Sequence, residues 1–336
     1  MREPEKRRLL RQTAWLLAAA AFFVLLNGGI YAVLTRRLGN NYSGTRQIKM
    51  IDVGAYLPHA DKPALSRVDA SLVLEGELPV LDGAAALVPV YASVIENLYP
   101  AGAVTYQGGS FSDDNQYGEN FAADSKMQYQ NTVRGFRAVV NGETDLFFSA
   151  APSREQWEYA AEQGVELVCI PIGLEAFVFF VNARNPVDGL STEQIRGIYA
   201  GEYRDWSQLG GAKRPICPMT RVAGSGSQTV MELFMDGREI APKPPFAIFG
   251  GAIGYSFRFF LQEMAGSGQV KMLAVDGVYP DPAAIRDGSY PLVYPFYVIY
   301  RADNAKPAVR QLVDWLLSPE GQQMIEGCGY VGLPQE

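Results

Sequence analysis

The sequence is poor in the side chains on which hydrolytic and metal-dependent enzymes rely. Its 336 residues include one histidine, His59, and three cysteines with no Cys-x-x-Cys pair: Cys169, Cys217 and Cys328. One histidine rules out multi-histidine metal sites and argues against Ser-His or Cys-His catalysis. Three cysteines permit at most one internal disulfide, and we predict free thiols. We therefore expect no catalytic residue, no metal and no cofactor, and a protein that is not an enzyme.

The chain also lacks an excess of positive charge. Its formal net charge is -7, with 29 basic against 36 acidic residues, which argues against nucleic-acid binding. An acidic protein that binds an anion must use local dipoles and one or two well-placed cations. The length of the chain suits two compact lobes better than one.

Charge is absent from residues 13–34, which form a long apolar run. As a helix with a rise of 1.5 Å per residue, this run would span roughly 33 Å, about one bilayer core. A basic cluster precedes it: Arg2, Lys6, Arg7, Arg8 and Arg11. The positive-inside rule then leaves the body outside the cytoplasm. We predict an uncleaved signal anchor; a cleaved signal peptide and a buried core helix are the alternatives. No cysteine follows the run, which excludes a lipoprotein anchor.

Strand-like and helix-like segments alternate after the apolar run, which predicts an α/β fold with mostly parallel sheets. We predict a first strand over 71–81, a helix over 84–98, and a loop with at most one short strand over 100–128. The predicted organisation is a cytoplasmic tail over 1–12, a transmembrane signal anchor over 13–34, a stalk over 35–73 that partly packs on the body, lobe 1 over 74–172 and 296–336, and lobe 2 over 173–295.

The most specific local motif is RVAGSGSQT over residues 221–229, between a predicted strand and a predicted helix. Its glycines allow close backbone approach, and the N–H groups of Ser225, Gly226 and Ser227 can face an oxyanion at the helix start. Arg221 can add a forked, charge-assisted contact. The alternative is an ordinary Ser/Gly helix cap with a surface arginine. The motif matches neither GxxxxGK[ST] nor GxSxG.

Two other strand-to-helix junctions offer fewer donors. The segment 83–87 opens the first predicted helix with alanines and so presents only backbone N–H groups. Thr132 offers a hydroxyl at the next helix start, where Asn131 can also cap, and Ser149 follows the strand DLFF. Taken singly, Thr132 and Ser149 are ordinary caps. Three helix starts aimed at one point would form an anion cage.

Longer segments carry a family resemblance. They include DGAAALVPVYA, TDLFFSAAPS, EAFVFFVNARNPVDGLSTEQIRGIYAGEYRDWSQLGG, RVAGSGSQTVMELF, GAIGYSFRF, YPLVYPFYVIY and LSPEGQQMIEGCGYVGL. Across about 74–333 the chain resembles the phosphate-binding proteins of ABC importers, which are type 2 periplasmic-binding-protein-like solute receptors. The resemblance implies a two-lobed, Venus-flytrap α/β fold, each lobe a mostly parallel sheet flanked by helices.

The resemblance also implies roles for individual residues. The implied ligand-binding set is Arg221, Ser225, Gly226, Ser227, Thr132, Ser149, Ala85 and Ala86. Three positions depart from the family pattern: Ala85 and Ala86 replace a threonine and an aromatic residue, and Ala150 replaces a carboxylate that accepts the ligand's proton. A buried carboxylate rejects fully deprotonated anions, so its loss leaves the choice between phosphate and sulfate open.

The function implied by the resemblance involves no covalent step. Two lobes close over phosphate or a similar oxyanion about strands that cross near 173–178 and 291–298, and the closed form docks on an ABC permease. We expect a single-pass protein of the cell membrane with an extracytoplasmic binding domain. The alternative is a membrane-anchored anion-sensing receptor or scaffold that signals to a membrane partner other than a permease.

Overall fold

The structure is a computed structural model in which the chain divides into two units, Met1–Gln47 and Ile48–Glu336. The described residues are 53–61, 63–111, 117–221, 223–242, 251–264 and 269–334, together with Trp15, Val24 and Leu25. The predicted membrane segment, 13–34, therefore lies outside the described residues except at those three positions. Within the described part of the chain, no helix combines the length and the apolar character needed to cross a bilayer.

Strands and helices alternate along the second unit, as the sequence patterns predicted. The described strands are β1 (Leu81–Gly83), β2 (Tyr106–Phe111), β3 (Tyr117–Phe121), β4 (Leu146–Ala150), β5 (Leu167–Asn182), β6 (Gly189–Leu190), β7 (Ile216–Pro218), β8 (Gly251–Phe257), β9 (Val270–Met272), β10 (Ala274–Val275) and β11 (Val293–Arg301). The described α-helices are α1 (Val88–Leu98), α2 (Asn131–Asn141), α3 (Arg154–Glu162), α4 (Thr192–Tyr199), α5 (Gly226–Phe234), α6 (Pro282–Arg286), α7 (Pro307–Leu317) and α8 (Pro319–Gly327).

One mixed sheet connects the two lobes. Its strand order is β1-β4-β11-β5-β8-β7, with β9 also paired to β5. The two apolar runs VELVCIPIG and EAFVFFVN, which read as separate features in the sequence, form the single strand β5 of 16 residues. Because β5 and β11 pair along both halves of this sheet, they run continuously from one lobe into the other.

The prediction that each lobe contains a mostly parallel sheet is wrong. The pairs β1–β4 and β7–β8 are parallel, but β11 is antiparallel to both β4 and β5, and β5 is antiparallel to β8 and β9. The physical reason is the path of the chain: β5 leaves lobe 1 for lobe 2, and β11 returns in the opposite direction. Both crossing strands lie in the middle of the sheet, so most of its pairings involve one of them.

Each lobe has its own hydrophobic core. In lobe 1, residues of α1, α7 and α8 pack against one face of the sheet, and a smaller cluster around Phe136 and Phe147 covers the other face. In lobe 2, residues of α4 and α5 pack against β5 and β8. Among the described residues the chain passes between the two cores at five places: Ile172 to Ala176, Phe257 to Phe259, Phe260 to Leu261, Val293 to Phe296, and Tyr330 to Val331.

The described part of the predicted stalk packs on lobe 1. Val53 is fully buried, the Ser66 N–H donates to the Ser93 hydroxyl at 3.0 Å, and the Val68 N–H donates to the Asn97 side chain at 2.8 Å. This segment is therefore held by hydrogen bonds to α1 and forms part of the surface of the lobe.

Two local predictions were wrong. Residues 71–80 are not a strand but run along α7 and the start of α8, where the Ser71 N–H donates to Glu320 at 3.0 Å and the Glu75 N–H donates to Gln311 at 3.0 Å. The predicted loop 100–128 contains the β2–β3 hairpin, paired from Tyr106 to Phe121. The many glycine and polar residues of that segment concealed its strands, because side-chain pattern carries little signal there.

Candidate functional site

The start of α5 presents unpaired backbone donors. Ser225 is the N-cap, and its hydroxyl accepts the Gln228 N–H at 3.3 Å. The Ser225 side chain therefore caps the helix, as the alternative interpretation of the motif predicted. The N–H groups of Gly226 and Ser227 precede the first intrahelical hydrogen bond and have no acceptor among the described residues. Unpaired N–H groups and the helix dipole together favour negative charge at this point.

This helix start in lobe 2 lies against lobe 1. A Cβ placed on Gly226 would be 3.4 Å from the Cβ of Ala150, at the end of β4. A Cβ placed on Gly224 would be 3.6 Å from a methyl group of Val133, at the start of α2. Gly224 has φ of 74°, a conformation that other residues rarely adopt. The glycines of the motif thus allow α5 to approach two elements of the opposite lobe.

The backbone of Arg221 is fixed by two side chains that sequence patterns did not indicate. Its N–H donates to the Gln228 side-chain oxygen and to the Tyr255 hydroxyl oxygen, each at 3.1 Å. Tyr255 in turn donates to Gln228, whose amide nitrogen donates to Glu232 at 2.9 Å. Gln228 lies in the motif RVAGSGSQT and Tyr255 in the segment GAIGYSFRF. Neither side chain is charged, so the sequence alone did not indicate that they belong to a site.

Among the described residues, the guanidinium of Arg221 has no carboxylate within 4.0 Å. Arg221 is exposed to solvent, but desolvation by the neighbouring protein still lowers its pKa. A positive charge held in a partly desolvated place without a counter-charge attracts an anion. Arg221 therefore carries a positive charge without a described counter-charge, four residues before the N-cap of α5.

The start of α2, on the lobe 1 side, is closed by its own side chains. Asn131 has φ of 61°, and its side-chain oxygen accepts both the N–H and the hydroxyl of Thr132, at 2.7 Å and 3.3 Å. Both predicted donors of Thr132 are therefore already used within the protein. An anion that bound here would have to displace the Asn131 carboxamide.

The predicted residues of the first helix and of β4 end at the same edge of the sheet. Gly83 pairs with Phe148 in the parallel pair β1–β4, and the Ala84 N–H donates to the Phe148 carbonyl at 2.8 Å. Ala85 and Ala86, half-buried in a 3₁₀ turn, therefore follow beside Ser149, which is buried. Ends of parallel strands gather loops into one binding edge. The predicted residues Ala85, Ala86 and Ser149 therefore lie near the strand ends. The loop and start of α5 approach lobe 1 at Val133, near Gly224, and at Ala150, near Gly226.

A cavity of about 520 Å³ lies elsewhere in lobe 1, next to the start of α7. Its charges are already paired: Lys306 lies 2.9 Å from both Glu77 and Asp145, and Arg301 lies 2.7 Å from Asp303. This neutralisation makes the cavity a poor anion site. Among the described residues, no group of three or more His, Cys, Asp or Glu side chains could hold a metal ion.

Comparison with known proteins assigns the fold. A family model described as a PBP superfamily domain matches residues 101–320. The chain belongs to the PBP superfamily. A Clostridium perfringens protein solved with bound phosphate matches with a TM-score of 0.56 and 19% identity, over 76% of this chain and 99% of that one. The ancestral soluble variant of the Human Phosphate Binding Protein matches with a TM-score of 0.51 and 15% identity, over 76% and 90%. At these identities the matches show the two-lobed fold alone.

Sequence relatives point to the same group of proteins. The phosphate-binding protein PstS of Bacillus subtilis is 26% identical over 63% of this chain and 72% of its own length. The protein SphX of Synechococcus elongatus is 25% identical over 76% of this chain and 87% of its own length. These relatives confirm the resemblance to phosphate-binding proteins that the sequence motifs indicated.

Proposed function

We propose that this protein is an extracytoplasmic receptor that binds phosphate or a similar oxyanion and delivers it to an ABC importer. The observation that carries the proposal is the Arg221 guanidinium, which has no described carboxylate within 4.0 Å and precedes a helix start that meets the opposite lobe. The names of the sequence relatives support phosphate as the ligand. The proposed role is binding and release, without a covalent step.

Donors from both lobes would hold the anion. Lobe 2 would contribute the N–H groups of Gly226 and Ser227 and the Arg221 guanidinium. Lobe 1 would contribute the Ser149 hydroxyl and the N–H groups of Ala85 and Ala86 at the first helix start. Thr132 at the second helix start would contribute its N–H only after the anion displaces the Asn131 carboxamide. An anion that contacts both lobes stabilises the closed arrangement by its differential contacts. We propose a hinge at 173–178 and 291–298, between lobe 1 (74–172 and 296–336) and lobe 2 (173–295).

The proposed site should accept anions that carry no proton. Ala150, whose Cβ would lie 3.4 Å from a Cβ on Gly226, offers no carboxylate to the ligand. A site with N–H donors, a guanidinium and no carboxylate at this point makes no demand for a ligand proton. We therefore expect sulfate to compete with phosphate.

We also propose that the protein is tethered to the membrane by residues 13–34. The support is the sequence itself: the run carries no charged side chain and follows five basic residues. The binding domain would then lie outside the cytoplasm. Residues 35–52 would connect the tether to the packed segment that begins at Val53.

Thermal melting of the full-length chain in mild detergent tests the binding proposal. Phosphate, sulfate, molybdate and acetate are compared; an anion at 100 times its Kd should stabilise the fold by about 2.7 kcal/mol. Arg221→Ala should lose this shift, while Arg184→Ala, an exposed arginine of the same lobe, should keep it. Equal shifts in wild type and Arg221→Ala would show that the site is elsewhere. Absence of a shift with every oxyanion would contradict the proposed function.

A further inference from the structure

Asp82 lies beneath the lobe 1 side of the proposed site. It is fully buried in β1. Its Oδ1 accepts the Gly83 N–H at 2.7 Å and the Gln130 N–H at 3.0 Å. Gln130 immediately precedes α2, and Gly83 leads into the turn at Ala85. One carboxylate oxygen therefore ties together the two chain segments that would present lobe 1 donors to an anion.

The second oxygen of Asp82 has no partner. Oδ2 is buried and has no hydrogen bond among the described residues, and the same is true of the Tyr91 hydroxyl on α1. A Cβ placed on Gly135 of α2 would lie only 3.0 Å from Oδ2, so the helix closes over the carboxylate. A buried carboxylate oxygen without a donor is costly to ionise. Negative charge on Asp82 is therefore weakly supported by its surroundings.

The groups around Asp82 act in opposite directions. Burial raises its pKa to about 7, against the lowering effects of the Gln130 and Gly83 N–H groups and of the Arg134 charge on α2. Burial raises the pKa of Tyr91, and the negative charges of Asp82 and Tyr129 raise it further. Near neutral pH, a small change in local potential is enough to change the protonation of Asp82.

We propose that Asp82 takes up a proton from solvent on Oδ2 when an anion occupies the site, so that anion binding and protonation of Asp82 are coupled. The inference rests on the proposed function. An anion at the starts of the first helices adds negative charge close to a carboxylate with one unpartnered oxygen, and a proton on that oxygen removes the repulsion. The coupling is reciprocal. Protonation of Asp82 raises the affinity for the anion, and the bound anion raises the affinity of Asp82 for the proton by the same factor. Asp82 is thus a specificity-determining residue that does not itself contact the ligand.

Phosphate titration calorimetry of the full-length chain and of Asp82→Asn between pH 5.5 and 8.5 tests the coupling. Asparagine keeps the Oδ1 acceptor and cannot ionise. Phosphate titrates in this range too, but the ratio of the two Kd values at each pH cancels that effect. We expect a ratio near one at pH 5.5, where Asp82 is neutral. At pH 8.5 the wild type should bind roughly 3- to 30-fold more weakly than the variant. Asp124→Asn, which neutralises an exposed carboxylate of the same lobe, should match the wild type throughout.

Each outcome decides between the proposals. A ratio that widens with pH supports the coupling. A ratio that stays constant overturns it and leaves the phosphate site intact, whereas no binding of phosphate by the wild type at any pH overturns the proposed function and the inference with it. If Asp82→Asn does not fold, the heats of sulfate binding to the wild type at pH 7.5 in two buffers of different ionisation enthalpy count the protons taken up, because sulfate itself does not titrate at this pH. No proton uptake would overturn the inference.

Discussion

Asp82 in lobe 1 and Glu175 in β5 are both buried carboxylates, but the protein surrounds them differently. Glu175 accepts N–H groups on both oxygens, from Ala176 at 2.8 Å and Phe259 at 3.2 Å, and faces the Nε of Arg258 at 3.5 Å. Asp82 has N–H partners on one oxygen only and none on the other. Hydrogen-bond donors on both oxygens and an arginine therefore surround the Glu175 carboxylate, whereas one oxygen of Asp82 lacks a hydrogen-bond partner among the described residues.

The Glu175–Arg258 pair lies where the chain crosses between the lobes. Arg258 donates to the Gly329 carbonyl and to the Gln262 side chain, each at 2.7 Å. Burial raises the pKa of Glu175 to about 7, as it does that of Asp82, and the Arg258 charge and the Ala176 and Phe259 N–H groups oppose that rise. The pair therefore joins β5 to the crossing segments 257–259 and 329–331. Its position indicates that it holds the two lobes in register.

Removing the compensating charge should have the largest effect. Arg258→Ala leaves Glu175 buried without its counter-charge, and we expect a loss of about 3–5 kcal/mol in the free energy of unfolding. Urea denaturation at pH 7.5 measures it. Arg286→Ala, which breaks the exposed 3.0 Å pair with Glu326, should cost less than about 1 kcal/mol. Similar losses in the two variants would show that the Glu175–Arg258 pair contributes no more than a surface pair.

The uncompensated carboxylate should affect stability in the opposite direction. Asp82 has a pKa of about 7 in the folded protein and about 3.9 when unfolded. Between these values the folded state binds more protons, so stability present below pH 4 is lost as pH rises through 7. We expect wild type to lose roughly 2–4 kcal/mol between pH 4 and pH 8 through this group. Without anion, Asp82→Asn should therefore be more stable than wild type at pH 8 and similar at pH 4.

Urea denaturation of both proteins at the two pH values gives this difference. Glu175→Gln is the matched comparison, because it also neutralises a buried carboxylate but removes the partner of Arg258. It should destabilise the protein at pH 8, where Asp82→Asn stabilises it. If both variants change stability in the same direction, the contrast between the two carboxylates does not hold.

The sequence was sufficient to predict the order of elements but not how the strands pair. Apolar runs and helix caps indicated the main helices and strands, and the resemblance indicated two lobes. The direction of pairing was wrong because a strand buried on both faces reads as a continuous apolar run whether its neighbours are parallel or antiparallel. The single strand β5 was obscured for a related reason: Gly173 and Glu175 interrupt the apolar pattern, and only tertiary contacts show that the strand continues.

The candidate site was predicted in part. The glycines and serines over 224–227 indicated a helix start with unpaired N–H groups, because that property is local to the chain. Two features depended on residues distant in sequence. Asp82 lies between the predicted first strand and the predicted first helix, and its carboxylate acquires a role only through Gln130. The sequence indicated that the Thr132 donors were available. In the structure the left-handed backbone of Asn131 places its side-chain oxygen where it accepts them.

The smallest expected effect tests how tightly α2 closes over Asp82. A Cβ on Gly135 would lie 2.5 Å from the Phe147 ring as well as 3.0 Å from Oδ2. Gly135→Ala should destabilise the protein by about 1–2 kcal/mol, because overpacking outweighs the gain of roughly 1 kcal/mol in helix propensity. Gly118→Ala, where an added Cβ meets nothing within 4 Å, should be near neutral. If Gly135→Ala is stable and also shows the pH-dependent stability of wild type, α2 has room to move and the burial of Asp82 is less rigid than its contacts indicate.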